Sequence, residues 1–129
     1  MMKAGKYYIG DLCYVLHDEW NEVCSLTIKP GLNRPLNGEF NLKDGRRFAI
    51  YGTAYGDGTY LDEEGRSYNV DSGSIGCIPL DAIDQTNPRN FLAGGRVVEF
   101  VQDFDTFGVG GVLRFGTVVI DTAGVEEYC

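Results

Sequence analysis

The stretch AYGDGTYLDEEGRSYNVDSGSIG, residues 54–76, decides the predicted fold of this chain. Two strand-like pieces within it, Thr59–Leu61 and Ser67–Val70, lie between turns that combine aspartate or glutamate with glycine. Glycine adopts positive φ angles without strain, and aspartate bonds to nearby backbone groups, so both residues favour tight turns. The stretch therefore predicts short antiparallel strands joined by hairpin turns.

The same pattern continues on both sides of this stretch. The chain has 18 glycines, about twice the usual frequency of 7%, and they are scattered between apolar segments. Further strands are predicted at residues 7–9, 13–16, 39–42, 47–55, 75–78, 96–101 and 112–120, with a bend at 108–111. The sequence thus predicts a mainly β fold, a compact antiparallel barrel or sandwich of about seven to eight strands with one short helix, built as a single domain by residues 1–129.

The short helix is predicted from one segment near the N-terminus. Trp20, Val23, Cys24 and Thr27 follow the spacing of three and four residues that places side chains on one helical face. Asp18 is the predicted N-cap, because its carboxylate can accept a hydrogen bond from the backbone at the start of the helix. We expect this helix to pack Trp20 against the sheet.

The charge is uneven along the chain. Residues 1–52 contain seven Lys and Arg against six Asp and Glu, whereas residues 53–129 contain four against thirteen, and the whole chain has a net charge of −8. Phosphate backbones and anionic membrane surfaces attract Lys and Arg, so this composition argues against nucleic acid and membrane as partners. An unknown ligand or protein partner is expected instead, and exposed strand edges are compatible with a homo-oligomer.

The cysteines show no disulfide or zinc-binding pattern. Cys13, Cys24, Cys77 and Cys129 are far apart in the sequence and form no CxxC pair. The first residues lack the apolar run of a signal peptide, and no segment reaches the ~20 apolar residues of a membrane-spanning helix. We therefore expect free thiols, a cytoplasmic location and no cofactor.

Carboxylates and tyrosines concentrate in the middle of the chain. Seven Asp and Glu residues and one Arg occupy residues 53–84, and four of the eight tyrosines lie in or beside this stretch. Such oxygens can bind a hard cation, a sugar or a cationic ligand, although hairpin turns alone also explain the pattern. The calcium-loop spacing is not met from Asp57 or Asp62, and a metal is left open. We expect any ligand site at one end of the sheet, formed by Asp11, Tyr55, Asp57, Tyr60, Asp71 and Ser72.

No standard catalytic signature is present in the sequence. Cys13 and His17, the only histidine, lie four residues apart, and a thiol nucleophile needs an imidazole within hydrogen-bond reach. Burial in a strand explains Cys13 equally well. Ser72 lacks the Gly-X-Ser-X-Gly elbow of serine hydrolases. The residue types therefore assign no catalytic role.

Two segments resemble a motif set of small uncharacterised bacterial and phage proteins. The first is IGDLCY at residues 9–14, matching IGDxCY, and the second is residues 54–76, matching AYGDGTYxDxxGxxYxVDSGxIG. The resemblance covers roughly residues 8–14 and 54–79. It implies a shared fold and transfers no activity or catalytic residue to this chain.

Three functions are compatible with the sequence. The interpretation we favour is a non-catalytic binding or protein-interaction domain inside the cell. The first alternative is a small hydrolase-type enzyme that uses Asp57, Asp62 or Asp71, with or without a divalent cation. The second is an acidic decoy that presents its carboxylates to a basic protein partner.

Overall fold

The computed structural model describes residues 1–28 and 37–123 of the chain. Within these ranges the backbone forms one α-helix, α1 (Trp20–Thr27), and two short 3₁₀ turns, Leu12–Tyr14 and Leu80–Ala82. It also forms ten strands: β1 (Gly5–Gly10), β2 (Gly38–Asn41), β3 (Arg47–Gly52), β4 (Gly58–Leu61), β5 (Ser67–Val70), β6 (Ser74–Pro79), β7 (Arg96–Phe100), β8 (Thr106–Val109), β9 (Val112–Phe115) and β10 (Val118–Asp121).

The strands form three antiparallel sheets. The largest has the order β2-β3-β6-β1-β7, the second the order β10-β9-β8, and the third is the ribbon β4-β5. In the largest sheet Tyr8 of β1 lies opposite Ile78 of β6 and Val97 of β7. The described sheets pack as a sandwich and do not close into a barrel. The predicted mainly β fold with one short helix is confirmed.

The largest sheet separates two hydrophobic cores, because side chains alternate between the faces of a strand. On one face, Tyr7 and Ile9 join a core completed by residues of the two smaller sheets, such as Tyr60 and Phe115. On the other face lies a second core that contains Tyr8, Phe48, Ile50, Ile78 and, from α1, Val23. Trp20 packs against this second core, as predicted.

The strand count exceeds the prediction because two glycine turns divide the C-terminal region. The predicted strand 112–120 is the hairpin β9-β10, in which Phe115 pairs with Val118 across Gly116, whose φ is +61°. The predicted bend at 108–111 is shorter than expected. It reduces to Gly110 and Gly111, with φ of +60° and +83°, and the residues before it form β8. Consecutive positive φ angles at two turn residues match the twist of a β-hairpin.

Two local predictions near the N-terminus are wrong. Residues 13–16 do not resume the first strand, because the Asp11 side chain accepts a hydrogen bond from the Cys13 N–H and starts a 3₁₀ turn at Leu12. Asp18 does not cap the helix. The N-cap is Glu19, without a side-chain bond, and one Asp18 oxygen accepts a hydrogen bond from the Asn87 amide instead.

The remaining local predictions concern the termini, loops and cysteines. The Pro, Gly and Asn residues at 30–38 predict a loop, and residues 122–129 predict a C-terminal tail. Residues 29–36 and 124–129, the latter with Cys129, lie outside the described ranges. Thr122, at the start of the predicted tail, is instead buried and donates its N–H to the Gly111 carbonyl. Cys13, Cys24 and Cys77 are free thiols. No helix in the described part of the chain has the length and apolar character needed to cross a membrane.

Candidate functional site

A fully buried carboxylate joins the two segments of the sequence motif. Asp11 has no solvent exposure, and its Oδ2 accepts hydrogen bonds from the backbone N–H groups of Asp71 and Ser72, both at 2.7 Å. Its Oδ1 accepts from the Ser72 hydroxyl at 2.8 Å and the Cys13 N–H at 3.0 Å. Asp11 therefore fixes the β5-β6 turn (residues 71–73) against the 3₁₀ turn that follows β1.

Asp62 is a second buried carboxylate with four donors. Its Oδ1 accepts from the N–H groups of Glu64 at 2.8 Å and Arg66 at 3.0 Å. Its Oδ2 accepts from the Tyr68 hydroxyl at 2.7 Å and from Arg96 Nη1 at 2.9 Å. Burial alone would raise the pKa of Asp62, but these hydrogen bonds outweigh burial and lower the pKa below its usual value. The carboxylate closes the β4-β5 turn.

Tyr60 and Thr53 stabilise the turn at residues 53–56, which lies next to the β5-β6 turn. The Tyr60 hydroxyl donates to the Gly56 carbonyl at 2.9 Å and contacts Thr53 Oγ1 at 3.3 Å. The Thr53 hydroxyl donates to the same Gly56 carbonyl at 2.7 Å, and the Thr53 N–H donates to the Gly73 carbonyl at 3.0 Å. The turn at residues 53–56 is thus tied to the β5-β6 turn.

The β5-β6 turn and the turn at residues 53–56 form part of the wall of an open groove of about 920 Å³ at the end of β3. The other walls come from α1 and from the β8-β9 turn. The groove is lined by Trp20, Cys24, Thr27, Ile28, Asn37, Ile50, Gly52, Thr53, Ala54, Ser72, Gly73, Ser74, Gly108, Gly110, Gly111 and Leu113. None of these lining residues is charged, although the chain as a whole carries a net charge of −8.

Thr122 stabilises two of the segments that line the groove. The Ala54 N–H donates to the Thr122 hydroxyl oxygen at 2.9 Å, and the Thr122 hydroxyl donates to the Gly111 carbonyl. Thr122 thereby connects the turn at residues 53–56 to the β8-β9 turn. Together with Asp11 and Tyr60, it holds three chain segments in fixed positions around one opening.

The six predicted site residues occupy three kinds of position. Ser72 lines the groove, whereas Asp11 and Tyr60 are buried and support turns that line it. Tyr55, Asp57 and Asp71 are exposed and do not line it. Among the described residues, no three His, Cys, Asp or Glu side chains are grouped so that they could hold a metal ion. Asp11 meets the Asp71 segment through the backbone N–H of Asp71.

Asp71 has a neighbour that the sequence did not indicate. The pKa of the Tyr14 hydroxyl is raised, first by burial and then by a hydrogen bond to the Asp71 carboxylate. Tyr14 also stacks in a tilted arrangement on Phe91, with ring centroids 5.0 Å apart. Asp71 thus contacts Tyr14 of the 3₁₀ turn through its carboxylate and Asp11 through its backbone N–H.

The candidate thiol pair of Cys13 and His17, to which the sequence assigns no catalytic role, lacks the features of an activated nucleophile in the structure. Burial and a hydrogen bond with Asp11 raise the pKa of the Cys13 thiol far above its usual value. A thiol with a raised pKa stays protonated at neutral pH and is a poor nucleophile. The His17 Nδ1 lies 3.3 Å from Asp18 Oδ1 at an exposed position.

Sequence reasoning missed most of the groove. Trp20 was assigned only to packing, and Gly110 and Gly111 only to a bend. Gly52 was placed in a predicted strand without a role of its own. The available signal was the presence of glycines at strand ends, because glycine allows close approach of a ligand to the backbone.

Comparison of the chain with models of known protein families, with curated proteins and with solved structures finds no match in any of the three. The groove itself indicates what kind of molecule this protein can bind. It offers apolar surface from Trp20, Ile50 and Leu113 beside hydroxyl groups and exposed backbone. Such a surface binds organic molecules by packing and hydrogen bonds.

We expect Asp11→Asn to lower the free energy of unfolding by about 2–4 kcal/mol, because an amide nitrogen would then face donors that the carboxylate now accepts from. Denaturant unfolding followed by circular dichroism measures the change. The exposed Asp57→Asn is the matched control and should stay within about 0.5 kcal/mol of the wild type. Equal stability of the two variants would contradict the anchoring role of Asp11.

Asp62 should make stability depend on pH in the acid range. Because the pKa of Asp62 is lowered in the folded state, its contribution is complete above the unfolded pKa of about 3.9 and is lost as the pH falls through the folded pKa. Asp62→Asn should therefore be less stable than the wild type at pH 7, with the difference shrinking as the pH falls below about 4. Thermal unfolding between pH 2 and 7 tests this, and a difference that does not depend on pH would refute it.

Proposed function

We propose that this protein is a non-catalytic binding domain whose groove takes an uncharged, polar organic ligand. The observation that carries the proposal is the absence of charge among the described residues that line the groove, in a chain with a net charge of −8. A charged ligand would lose its hydration there without gaining a partner of opposite charge, which is costly. A neutral ligand does not meet this cost.

The size and composition of the groove support the proposal. Its volume of about 920 Å³ lies within the range of roughly 300–1,000 Å³ found for pockets that bind small molecules. Trp20 is partly buried and offers an aromatic surface on which the apolar side of a ligand can pack. Thr53, Ser72 and Ser74 supply the few polar atoms that would orient it.

The walls of the groove are held before any ligand arrives. Asp11 fixes the β5-β6 turn, Tyr60 fixes the turn at residues 53–56, and Thr122 connects that turn to the β8-β9 turn. A binding surface that is already ordered loses less conformational entropy on association. The buried residues predicted from the sequence thus support the proposal as positioning residues.

Gly52 provides an independent argument for a ligand. Its φ angle lies outside the left-handed region, and a Cβ added there would meet only Asn37 Oδ1 at 3.8 Å and the Gly73 carbonyl oxygen at 4.0 Å. Both distances are ordinary van der Waals contacts, so the fold itself does not require glycine at this position. Glycine inside a strand costs stability, and close approach of a ligand gives a reason for it.

The enzyme alternative has less support at the positions it named. Asp62 already accepts four hydrogen bonds, which leaves it poorly suited to act as a base, and Asp57 is exposed. The decoy alternative would use exposed carboxylates such as Asp57 and Asp71. It differs from groove binding in one measurable respect, because binding between opposite charges at a surface weakens as salt increases.

The first experiment exploits Trp20, the only tryptophan of the chain. A fragment library with neutral, anionic and cationic members is screened by ligand-observed NMR, and each hit is then titrated while Trp20 fluorescence is recorded. We expect neutral hits that change the fluorescence and whose affinity is the same at low and high salt. Hits confined to charged compounds, hits that leave Trp20 unaffected, or no hits at all would overturn the proposal.

Gly52→Ala tests the groove because it should raise stability and weaken ligand binding in the same variant. The methyl group should raise the melting temperature by about 2–4 °C and weaken the neutral hits by about tenfold, because it occupies space in the groove. Ser67→Ala, at an exposed position of β5 outside the groove, should leave affinity unchanged. A Gly52→Ala protein that is less stable than the wild type would show that the fold needs this glycine.

A further inference from the structure

We propose that the groove selects ligands that donate hydrogen bonds through uncharged groups, with the hydroxyls of a sugar as the class that fits best. The inference rests on the proposed function and adds to it the polarity of the groove. It follows from where the protons of the lining hydroxyl groups point. Four Ser and Thr residues line the groove: Thr27, Thr53, Ser72 and Ser74.

Two of these hydroxyls donate directly to backbone carbonyls. Thr27 Oγ1 donates to the Val23 carbonyl at 2.9 Å, one turn earlier in α1. Thr53 Oγ1 donates to the Gly56 carbonyl at 2.7 Å. A hydroxyl has one proton and two lone pairs. After these bonds, each oxygen has only acceptor capacity for a ligand.

The polarity of the serine pair is set by Asp11. The Ser72 hydroxyl donates its single proton to Asp11 Oδ1 at 2.8 Å. The oxygens of Ser72 and Ser74 are also 2.8 Å apart, a distance at which one of them must donate to the other. Because the Ser72 proton is already engaged, Ser74 is the donor of this pair.

Ser74 therefore faces the groove as an acceptor. Its own proton points to Ser72, and what remains for a ligand is the lone pairs of its oxygen. All four lining hydroxyls thus present only acceptor lone pairs to a ligand. For the two serines, this polarity is set by the buried carboxylate of Asp11. At these four hydroxyls, a ligand that offers only acceptors, such as an ether, would meet lone pairs without a proton between them, and this mismatch is unfavourable.

A sugar satisfies the three properties of the groove at once. Its hydroxyls donate in several directions, it carries no charge, and its C–H face can pack on the aromatic surface of Trp20. An amine would also donate, but it brings a charge that no described lining residue compensates. The observations therefore favour neutral hydroxyl donors over ammonium donors.

The test uses matched probes. A panel of neutral mono- and disaccharides, their per-O-methylated forms and the diamine putrescine is titrated against the whole chain, with Trp20 fluorescence and calorimetry as readouts. We expect at least one free sugar to bind and its methylated form to bind at least tenfold more weakly. Methylated forms that bind equally well, or putrescine as the only ligand, would overturn the inference.

Two serine variants separate polarity from shape. Ser74→Ala should weaken the sugar severalfold, and Ser74→Thr should retain binding because it keeps the oxygen. Ser72→Ala releases the Ser74 proton, so that methylated sugars should gain affinity relative to free ones. If Ser72→Ala leaves this ratio unchanged while the melting temperature shows a folded protein, the polarity argument is wrong.

The outcomes also separate this inference from the proposed function. Neutral fragments that bind at Trp20 without a preference for donors would leave the binding function intact and remove the selectivity for donors. Neutral donors other than sugars, such as amides, would leave the polarity intact and remove the sugar class. Binding of charged compounds alone would remove both.

Discussion

The structure depends on a single buried carboxylate that serves donors from distant parts of the chain. Asp11 follows the first strand, yet three of the hydrogen bonds that it accepts come from Asp71 and Ser72, sixty and sixty-one residues later. A buried carboxylate is tolerated only when its lone pairs are occupied. Asp11 meets this condition mainly through two backbone N–H groups and a hydroxyl of the β5-β6 turn. The pairing therefore specifies which turn lies beside which strand.

The acidic character of the chain and the chemistry of its groove are spatially separate. Two carboxylates, Asp11 and Asp62, are buried and fully bonded, and others, such as Asp57 and Asp71, are exposed. The described wall of the groove contains none. The electrostatic field of the protein keeps like-charged molecules apart, whereas recognition in the groove depends on contact, shape and hydrogen-bond polarity. Net charge alone would have indicated a cationic ligand.

The sequence predicted the fold class well and the site only in part. Alternating apolar residues such as Phe48 and Ile50 reveal a strand face, because that pattern is local. The turn at Gly116 was missed, because apolar residues on both sides of one glycine look like a continuous strand. The carboxylate at position 11 was selected as unusual, but its role depends on residues 71 and 72, whose proximity arises only from the tertiary fold. Trp20 and Gly52 meet in the groove for the same reason.

The pairing of β1 has a kinetic consequence. This N-terminal strand lies between β6 and β7, so that Tyr8 finds its neighbours Ile78 and Val97 only after most of the chain is present. Closing such long loops costs conformational entropy before the contacts that offset this cost have formed. Proteins dominated by distant contacts therefore fold slowly. During synthesis β1 emerges before β6 and β7 and waits with both edges unpaired. An interior strand of the largest sheet is thus exposed to mispairing until β7, the last of its two partners, is complete.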